Sequence, residues 1–212
     1  MSQPIIALTF DDGPNTAITP EVLDTLEENG AVGTFFLIAR NITPESAEVV
    51  RRAKAMGCDI ENHSLTHGFM DRMTEEQIRT EVQACTDMIT EITGEAPRFF
   101  RPPYIAVNRL MYDIIDLTFI CGVGCEDWVP TVTAQERIDR VLAAAEDGQI
   151  VLLHDMEGNR NTADALKIIV PELKKRGFRF VTCAQLFAEK GVVPRRGWLY
   201  SNALQTDSDN RL

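Results

Sequence analysis

Pro4-Ile5-Ile6-Ala7-Leu8-Thr9-Phe10-Asp11-Asp12-Gly13-Pro14 is an apolar run that ends in two adjacent carboxylates and a turn. Its first part, Pro4 to Thr9, reads as a strand. The same alternation continues along the chain, short apolar runs separated by amphipathic stretches, and this argues for a parallel α/β fold of repeated strand and helix units. Further strands are expected at Thr34 to Ile38, Asp59 to Glu61, Phe99 to Phe100, Phe119 to Cys121, Ile150 to Leu153 and Phe178 to Thr182. Helix boundaries lie between them. Thr19 is expected to cap a helix with Pro20 at its first position, and Val22, Leu23 and Leu26 share a face before Gly30 stops it. Thr43-Pro44 opens a second helix that Gly57 ends, and Thr74 to Gln77 and Thr133 to Glu136 each match a capping box. Ile78, Val82, Cys85, Ile89 and Ile92 form the apolar stripe of the helix after Thr74, and Asn161 or Thr162 begins one that carries Leu166, Ile169 and Leu173 to Gly177.

Seven such units in 212 residues sit at the lower size limit of a closed parallel barrel. The expected fold is therefore α/β: a small, irregular barrel of seven or eight (β/α) units, preferred over an open sheet. Polar candidates support the barrel. Asp11 and Asp12 follow the first strand, His63 the third, Arg101 the fourth, Asp127 the fifth and His154 the sixth. All of them leave the C-terminal ends of strands, where parallel barrels build their sites. Residues 1–200 are read as one domain, and Ser201 to Leu212, polar and without periodicity, as a tail or linker.

A hydrophobic content of 44% with 25% charged residues excludes disorder and suits a domain that buries its own core. The formal charge of −11 repels nucleic acid and anionic bilayers and so excludes them as partners; a neutral or weakly charged substrate and a monomeric state are expected. Five cysteines without paired CxxC spacing indicate neither a disulfide framework nor a thiolate zinc site, and most read as small buried hydrophobes. Ile5 to Leu8 is too short for a signal core or a membrane span.

The three histidines carry the chemistry. His63-Ser64-Leu65-Thr66-His67 places two imidazoles on one face of a helix or one side of a tight turn, where a divalent metal can bridge them. Alone, an HxxxH is more often two polar loop residues. Asp11-Asp12 places two carboxylates where ionising both is costly unless a cation is present, and alternation along an extended chain lets one coordinate while its neighbour faces substrate. Alone, it is an acidic turn. Leu152-Leu153-His154-Asp155, Arg101-Pro102-Pro103-Tyr104 and Asp127-Trp128 each have an equally plain reading as a strand end, a rigid loop and a turn with a packed aromatic. Five such segments in this order, each after a strand, are what makes coincidence a poor account.

Together these segments resemble the polysaccharide deacetylases, the NodB-homology domain of carbohydrate esterase family 4, over about Pro4 to Lys190. The resemblance implies Asp11 as catalytic base and Asp12, His63 and His67 as ligands of one divalent metal, zinc by default, with cobalt or nickel as alternatives. It implies that Arg101 holds the base, that the Tyr104 backbone N–H serves the oxyanion, and that Asp127 tunes His154, the general acid. Trp128 and Leu152 would line the acyl pocket. Gly124 departs from the family pattern, which often has aspartate at this position, and this bears on substrate contacts. Cys125 to Pro130 and His154 to Asn159 look most like the acetylxylan esterase branch.

The expected function is thus metal-dependent removal of O-acetyl groups from acetylated xylan. N-deacetylation of chitin oligomers or peptidoglycan is the nearest alternative, because only groove contacts distinguish the two. Phosphoryl transfer from an aspartyl nucleophile lacks a Gly-rich phosphate cradle and leaves the histidines unexplained. A non-catalytic carbohydrate-binding domain would not need the intact acid, base and ligand set. Because a polymeric glycan is met outside the cell, a secreted enzyme whose leader lies beyond this chain is expected.

Overall fold

The computed structural model describes residues 3–206. Strand β1 (Ile5–Asp11) is buried at every position. Its side chains divide by the two-residue period of a strand: Ile6, Leu8 and Phe10 enter one core cluster, while Ile5 and Ala7 enter another. A strand buried on both faces is the mark of a parallel sheet covered by helices.

β1 pairs with β2 (Thr34–Leu37) on one side and with β7 (Ile150–His154) on the other, and its first residues also meet β8 (Arg179–Phe180). Pairing continues from β2 to β3 (Asp59–Asn62), β4 (Phe99–Phe100) and β5 (Thr118–Ile120). Just beyond β5 the chain kinks through Cys121 and Gly122 into β6 (Val123–Gly124), which pairs with β7. The chain itself, rather than a strand pairing, thus joins β5 to the neighbour of β7. Every strand pair is parallel, including β5 with β9 (Leu199–Tyr200), so the sheet curls into an irregular barrel as expected.

Helices α1 (Ile18–Glu28), α2 (Pro44–Ala55), α3 (Glu75–Thr93), α4 (Arg109–Ile114), α5 (Ala134–Ala144), α6 (Arg160–Lys175) and α7 (Cys183–Glu189) surround it. Capping boxes at Thr43, Thr74, Thr133 and Thr182 start four of them, each worth about 1 kcal/mol. Among the described residues, no helix is long and apolar enough to cross a membrane. All five cysteines are free and four are buried, as small hydrophobes would be.

Three expectations need correction. Thr19 is not the cap of α1: Asn15 Oδ1 accepts the N–H groups of Ala17 and Ile18, and the Thr19 hydroxyl donates to Asp155 instead. Strands β6 and β9 have two residues each, too short to show periodicity, so Asp127 follows β6 rather than β5. Residues 201–206 are not a free tail. Ser201 O accepts from Ile150 N–H, Ala203 N–H donates to Gly148 O, and Ala203 is 2% exposed. The rest of the expected tail, residues 207–212, lies outside the described residues.

If this segment closes the bottom of the barrel, Ala203→Asp buries an uncompensated carboxylate and costs about 2–4 kcal/mol, roughly 4–16 °C in Tm. Thermal unfolding of the variant checks this, and an unchanged Tm would restore the reading of a solvated tail.

Candidate active site

The parallel register places the first two groups together. Asp11 ends β1 and His154 ends β7, and they are Cα partners across the strand pair. Asp12 leaves the strand with φ 72°, so the two carboxylates do not diverge by strand alternation; the left-handed turn brings both into one cavity. Asn41 Nδ2 holds the turn through Asp12 O at 2.8 Å. Gly13 is required beside it, since a Cβ there would stand 2.7 Å from Asp155 Oδ2.

The HxxxH segment is a loop rather than a helix. Ser64 and His67 both have positive φ, and the loop is closed by its own polar groups. Ser64 Oγ accepts from His67 N–H at 2.9 Å, and Glu81 of α3 accepts from Thr66 N–H and Oγ1 at 2.8 and 2.7 Å. Both imidazoles consequently face Asp12, whose Oδ1 lies 3.4 Å from His63 Nε2 and 3.4 Å from His67 Nε2. The three donor atoms lie within 4.8 Å of one another.

Protonation follows from the neighbours. His63 Nδ1 lies 2.6 Å from Arg101 O, which can only accept, so Nδ1 donates there and Nε2 is the atom turned toward Asp12. Burial, with the charge of His63, lowers the pKa of His67 below the usual histidine range. Asp12 is lowered as well: burial opposes ionisation, but the neighbouring His63, with the charges of His154 and His67, outweighs it and brings the carboxyl down to about 2. Its Oδ1 is buried without a hydrogen-bond partner among the described residues. An ionised carboxylate with an unsatisfied inward oxygen beside two imidazole nitrogens is a donor set that fits a borderline divalent cation such as zinc.

Asp11 faces the same point, with Oδ2 3.8 Å from His63 Nε2. Its other oxygen, Oδ1, accepts from Arg101 Nη1 at 2.5 Å, and the Arg101 guanidinium is fully buried against the Phe36 ring, 4.2 Å from its centroid. On the opposite side, His154 Nδ1 is 2.8 Å from Asp127 Oδ1, and its backbone N–H donates to Asp127 Oδ2 at 2.7 Å. Burial lowers the pKa of His154, but the hydrogen bond and charge of Asp127, with Asp11 and Asp12, outweigh it and push the imidazole up to about 9.

A cavity of about 410 Å³ joins these groups, within the usual range of small-molecule sites, roughly 300–1,000 Å³. Tyr104, Trp128 and Leu152 line it with Gly124. Tyr104 packs between Phe69 and His67, at 4.1 and 4.6 Å between ring centroids, and Trp128 meets His154 edge-on at 5.5 Å. Every residue singled out in the sequence is thus at or directly behind one cavity.

Several supporting residues were not singled out. Arg137 of α5 is 1% exposed and donates to Asn159 Oδ1 and Thr162 Oγ1, while Thr162 donates to Asp127 Oδ2 at 2.8 Å. An arginine on an amphipathic helix normally reads as solvated, so no sequence signal marks it. Asp155 is fully buried, and burial, with the charges of Asp12 and Asp11, pushes it up to about 7 against the lowering effect of Thr19. Its main chain joins the two sides of the site: the N–H donates to Asp11 O and the C=O accepts from Asn15 Nδ2.

Comparison with known proteins gives one answer. A family profile described as Polysaccharide deacetylase matches residues 1–118. A bifunctional xylanase/deacetylase of Pseudobutyrivibrio xylanivorans is 46% identical over 193 residues, 91% of this chain and 32% of that protein. A peptidoglycan-N-acetylglucosamine deacetylase of Listeria monocytogenes is 36% identical over 87% of this chain and 39% of its own length, so the chain spans only a third or so of these relatives. Among solved structures, the Xyl-CE4 domain of a multidomain xylanase from the hindgut metagenome of Trinervitermes trinervoides superposes with TM-score 0.93 at 44% identity, covering 95% of this chain and 98% of that one. A family 4 acetyl xylan esterase from Clostridium thermocellum, solved with a cobalt ion, superposes with TM-score 0.91 at 36% identity, covering 95% and 100%. The chain belongs to the polysaccharide deacetylases of carbohydrate esterase family 4.

Proposed function

We propose that this chain is a metal-dependent hydrolase that removes O-acetyl groups from acetylated xylan, and that it works outside the cell, where the polymer is met. The observation that carries the chemistry is the division of one cavity: a carboxylate held by a buried arginine on one side, an imidazole held by a buried aspartate on the other, and the Asp12, His63 and His67 donors between them. The xylan reading is supported by relatives that carry xylanase/deacetylase and acetyl xylan esterase names. N-deacetylation is the second reading, favoured by the peptidoglycan deacetylase relatives.

Asp12, His63 and His67 would hold the ion, with zinc best suited to the two-nitrogen, one-oxygen set and cobalt or nickel able to substitute. Bound there, it supplies the Lewis acidity that activates water and polarises the acetyl carbonyl. Asp11 removes the proton from the attacking water through Oδ2, because Arg101 occupies Oδ1. Pro102 and Pro103 have no N–H, so Tyr104, which lines the cavity, offers the first main-chain donor after Arg101, and its N–H would serve the negative charge that develops on the acetyl oxygen. His154 delivers a proton from Nε2 to the departing sugar oxygen while Asp127 fixes Nδ1 and keeps the ring charged. Trp128 and Leu152 present an apolar wall to the acetyl methyl.

Acetate release from acetylated xylan, N-acetylglucosamine oligomers and peptidoglycan, with chelator and zinc add-back, tests the function. Release from acetylated xylan that is abolished by chelator and restored by zinc is expected, and metal-independent release would overturn the reading. Asp11→Asn is expected to bind zinc normally yet lose about 10²–10⁴-fold in kcat. His67→Ala is expected to weaken zinc binding itself at least about ten-fold, since it removes one of three protein ligands. Normal zinc content and normal turnover in His67→Ala would sink the ligand assignment.

The pH profile follows from His154. An acid with a raised pKa is fully protonated below it and is lost as pH rises through it, so kcat is expected to hold through neutrality and fall through about 9. Asp127→Asn removes the hydrogen-bonded charge that raises His154, and the falling limb should move to lower pH. A limb that stays in place when kcat is measured across pH would show that another group sets it.

A further inference from the structure

His63 and His67 are held in different ways. His63 Nδ1 donates to Arg101 O at 2.6 Å, a main-chain anchor of the kind that fixes the orientation of a ligand imidazole. For His67, among the described residues, the polar contacts are its backbone N–H on Ser64 Oγ at 2.9 Å and Nε2 toward Asp12 Oδ1 at 3.4 Å, with no protein hydrogen bond at Nδ1. Other rings fix this one instead. His63 meets it edge-on at 4.7 Å between centroids, and Tyr104 lies tilted against it at 4.6 Å.

Tyr104 needs support of its own. It is 57% exposed and has φ 58°, followed by Ile105 at φ 54°, a left-handed pair that residues with a Cβ keep only where neighbours hold them. Phe69 is such a neighbour, stacked on Tyr104 with 4.1 Å between centroids and 14° between planes. Its own place is fixed although it is 43% exposed. Met70 beside it is fully buried, its C=O accepts from Arg72 N–H at 3.1 Å, and the Arg72 guanidinium lies over its ring at 4.5 Å.

The stack also spans two loops. His67 and Phe69 follow β3 and Tyr104 follows β4, and those strands share a single Cα pair, Asn62 with Phe100. The loops are tied at their base by Arg101 N–H on Asn62 O and His63 Nδ1 on Arg101 O, and farther out by Asn108 Nδ2 on Asp71 O. None of these bonds touches His67. We infer that Phe69 is a positioning residue of the metal site: stacked on Tyr104, it holds the His67 ring with Nε2 turned to Asp12. This rests on the reading of Asp12, His63 and His67 as the ligands.

Zinc affinity of the full chain, stripped of metal, is measured by competition with chromophoric chelators. Phe69→Ala is expected to bind zinc about two- to ten-fold more weakly, the size of one aromatic pair, and Phe69→Tyr, which keeps a ring to stack, to bind it as the unmodified chain does. In a His67→Ala background the same Phe69→Ala change should cost nothing further, because the residue it acts through is gone. A loss of equal size in both backgrounds would show general loosening of the loops and overturn the inference, as would unchanged affinity in Phe69→Ala. A raised KM for acetylated xylan at saturating zinc, with zinc affinity unchanged, would make Phe69 a substrate contact and overturn it as well. An unmodified chain that binds no zinc would instead overturn the ligand assignment itself.

Discussion

Two carboxylates at the end of a strand buried on both faces cannot both stay ionised without compensation, and the rest of the site supplies it. For Asp11 the compensation is Arg101, a guanidinium with no exposed surface, which lies against the Phe36 ring and reaches the carboxylate at 2.5 Å. For Asp12 it is the pair of imidazoles, which brings the group to about 2 against the cost of burial. Even so, Asp12 Oδ1 retains no hydrogen-bond partner among the described residues. A buried acceptor left in that condition normally marks a missing partner rather than a tolerated loss, since orphaned polar atoms cost about 1–3 kcal/mol each. The electrostatic demand at the end of β1 thus accounts for the residues contributed by β3 and β4.

How far the sequence could be read depends on the range of the interaction involved. Parallel α/β organisation, the strand ends at Asp11, His63, Arg101 and His154 and the capping boxes are written in local patterns, and each reappears in the structure. Thr19 was misread because a hydroxyl before a helical run has two possible partners. A cap is local, but the bond to Asp155 spans 136 residues of sequence. Strands β6 and β9 have no period to detect at two residues each and exist because β7 and β5 offer them free edges. Ser201 to Gln205 looked like tail because its composition is polar; its hydrogen bonds to β7 and to Gly148 come from position alone.

The cavity shows the same division. Asp11, Asp12, His63, His67, Arg101, Asp127 and His154 were recognisable because their side chains belong to short motifs. What the motifs do not carry is how each group is held in place. The geometry of His67 depends on Ser64 and Glu81, and Asp127 is fixed by Thr162, which is in turn fixed by Arg137. Apart from the local Ser64–His67 bond, these contacts join a helix to a loop or to another helix across long stretches of sequence, and none has a sequence spacing. The left-handed Asp12 is a further case, since strand alternation predicts diverging carboxylates and the turn brings them together.

Asymmetry across the cavity then follows from topology. β1 lies between β2 and β7, and both pairings run as far as Asp11, so its C-terminal end is flanked on both sides and its charge is held by neighbouring strands. β6 is a two-residue strand just beyond the kink, exposed along its length, and the turn after it presents the Trp128 indole to the cavity while Asp127 stands behind His154 and Glu126 pairs with Arg140. The anionic ligand and the base therefore belong to the centre of the sheet, while the acid on β7 stands between that centre and an edge where the Trp128 indole meets it. A proton taken at Asp11 and one delivered at His154 are separated by one strand spacing, the distance of a Cα pair in register. The parallel register of β1 and β7 thus sets base and acid side by side at the rim of one cavity, and neither side chain needs a long reach to act.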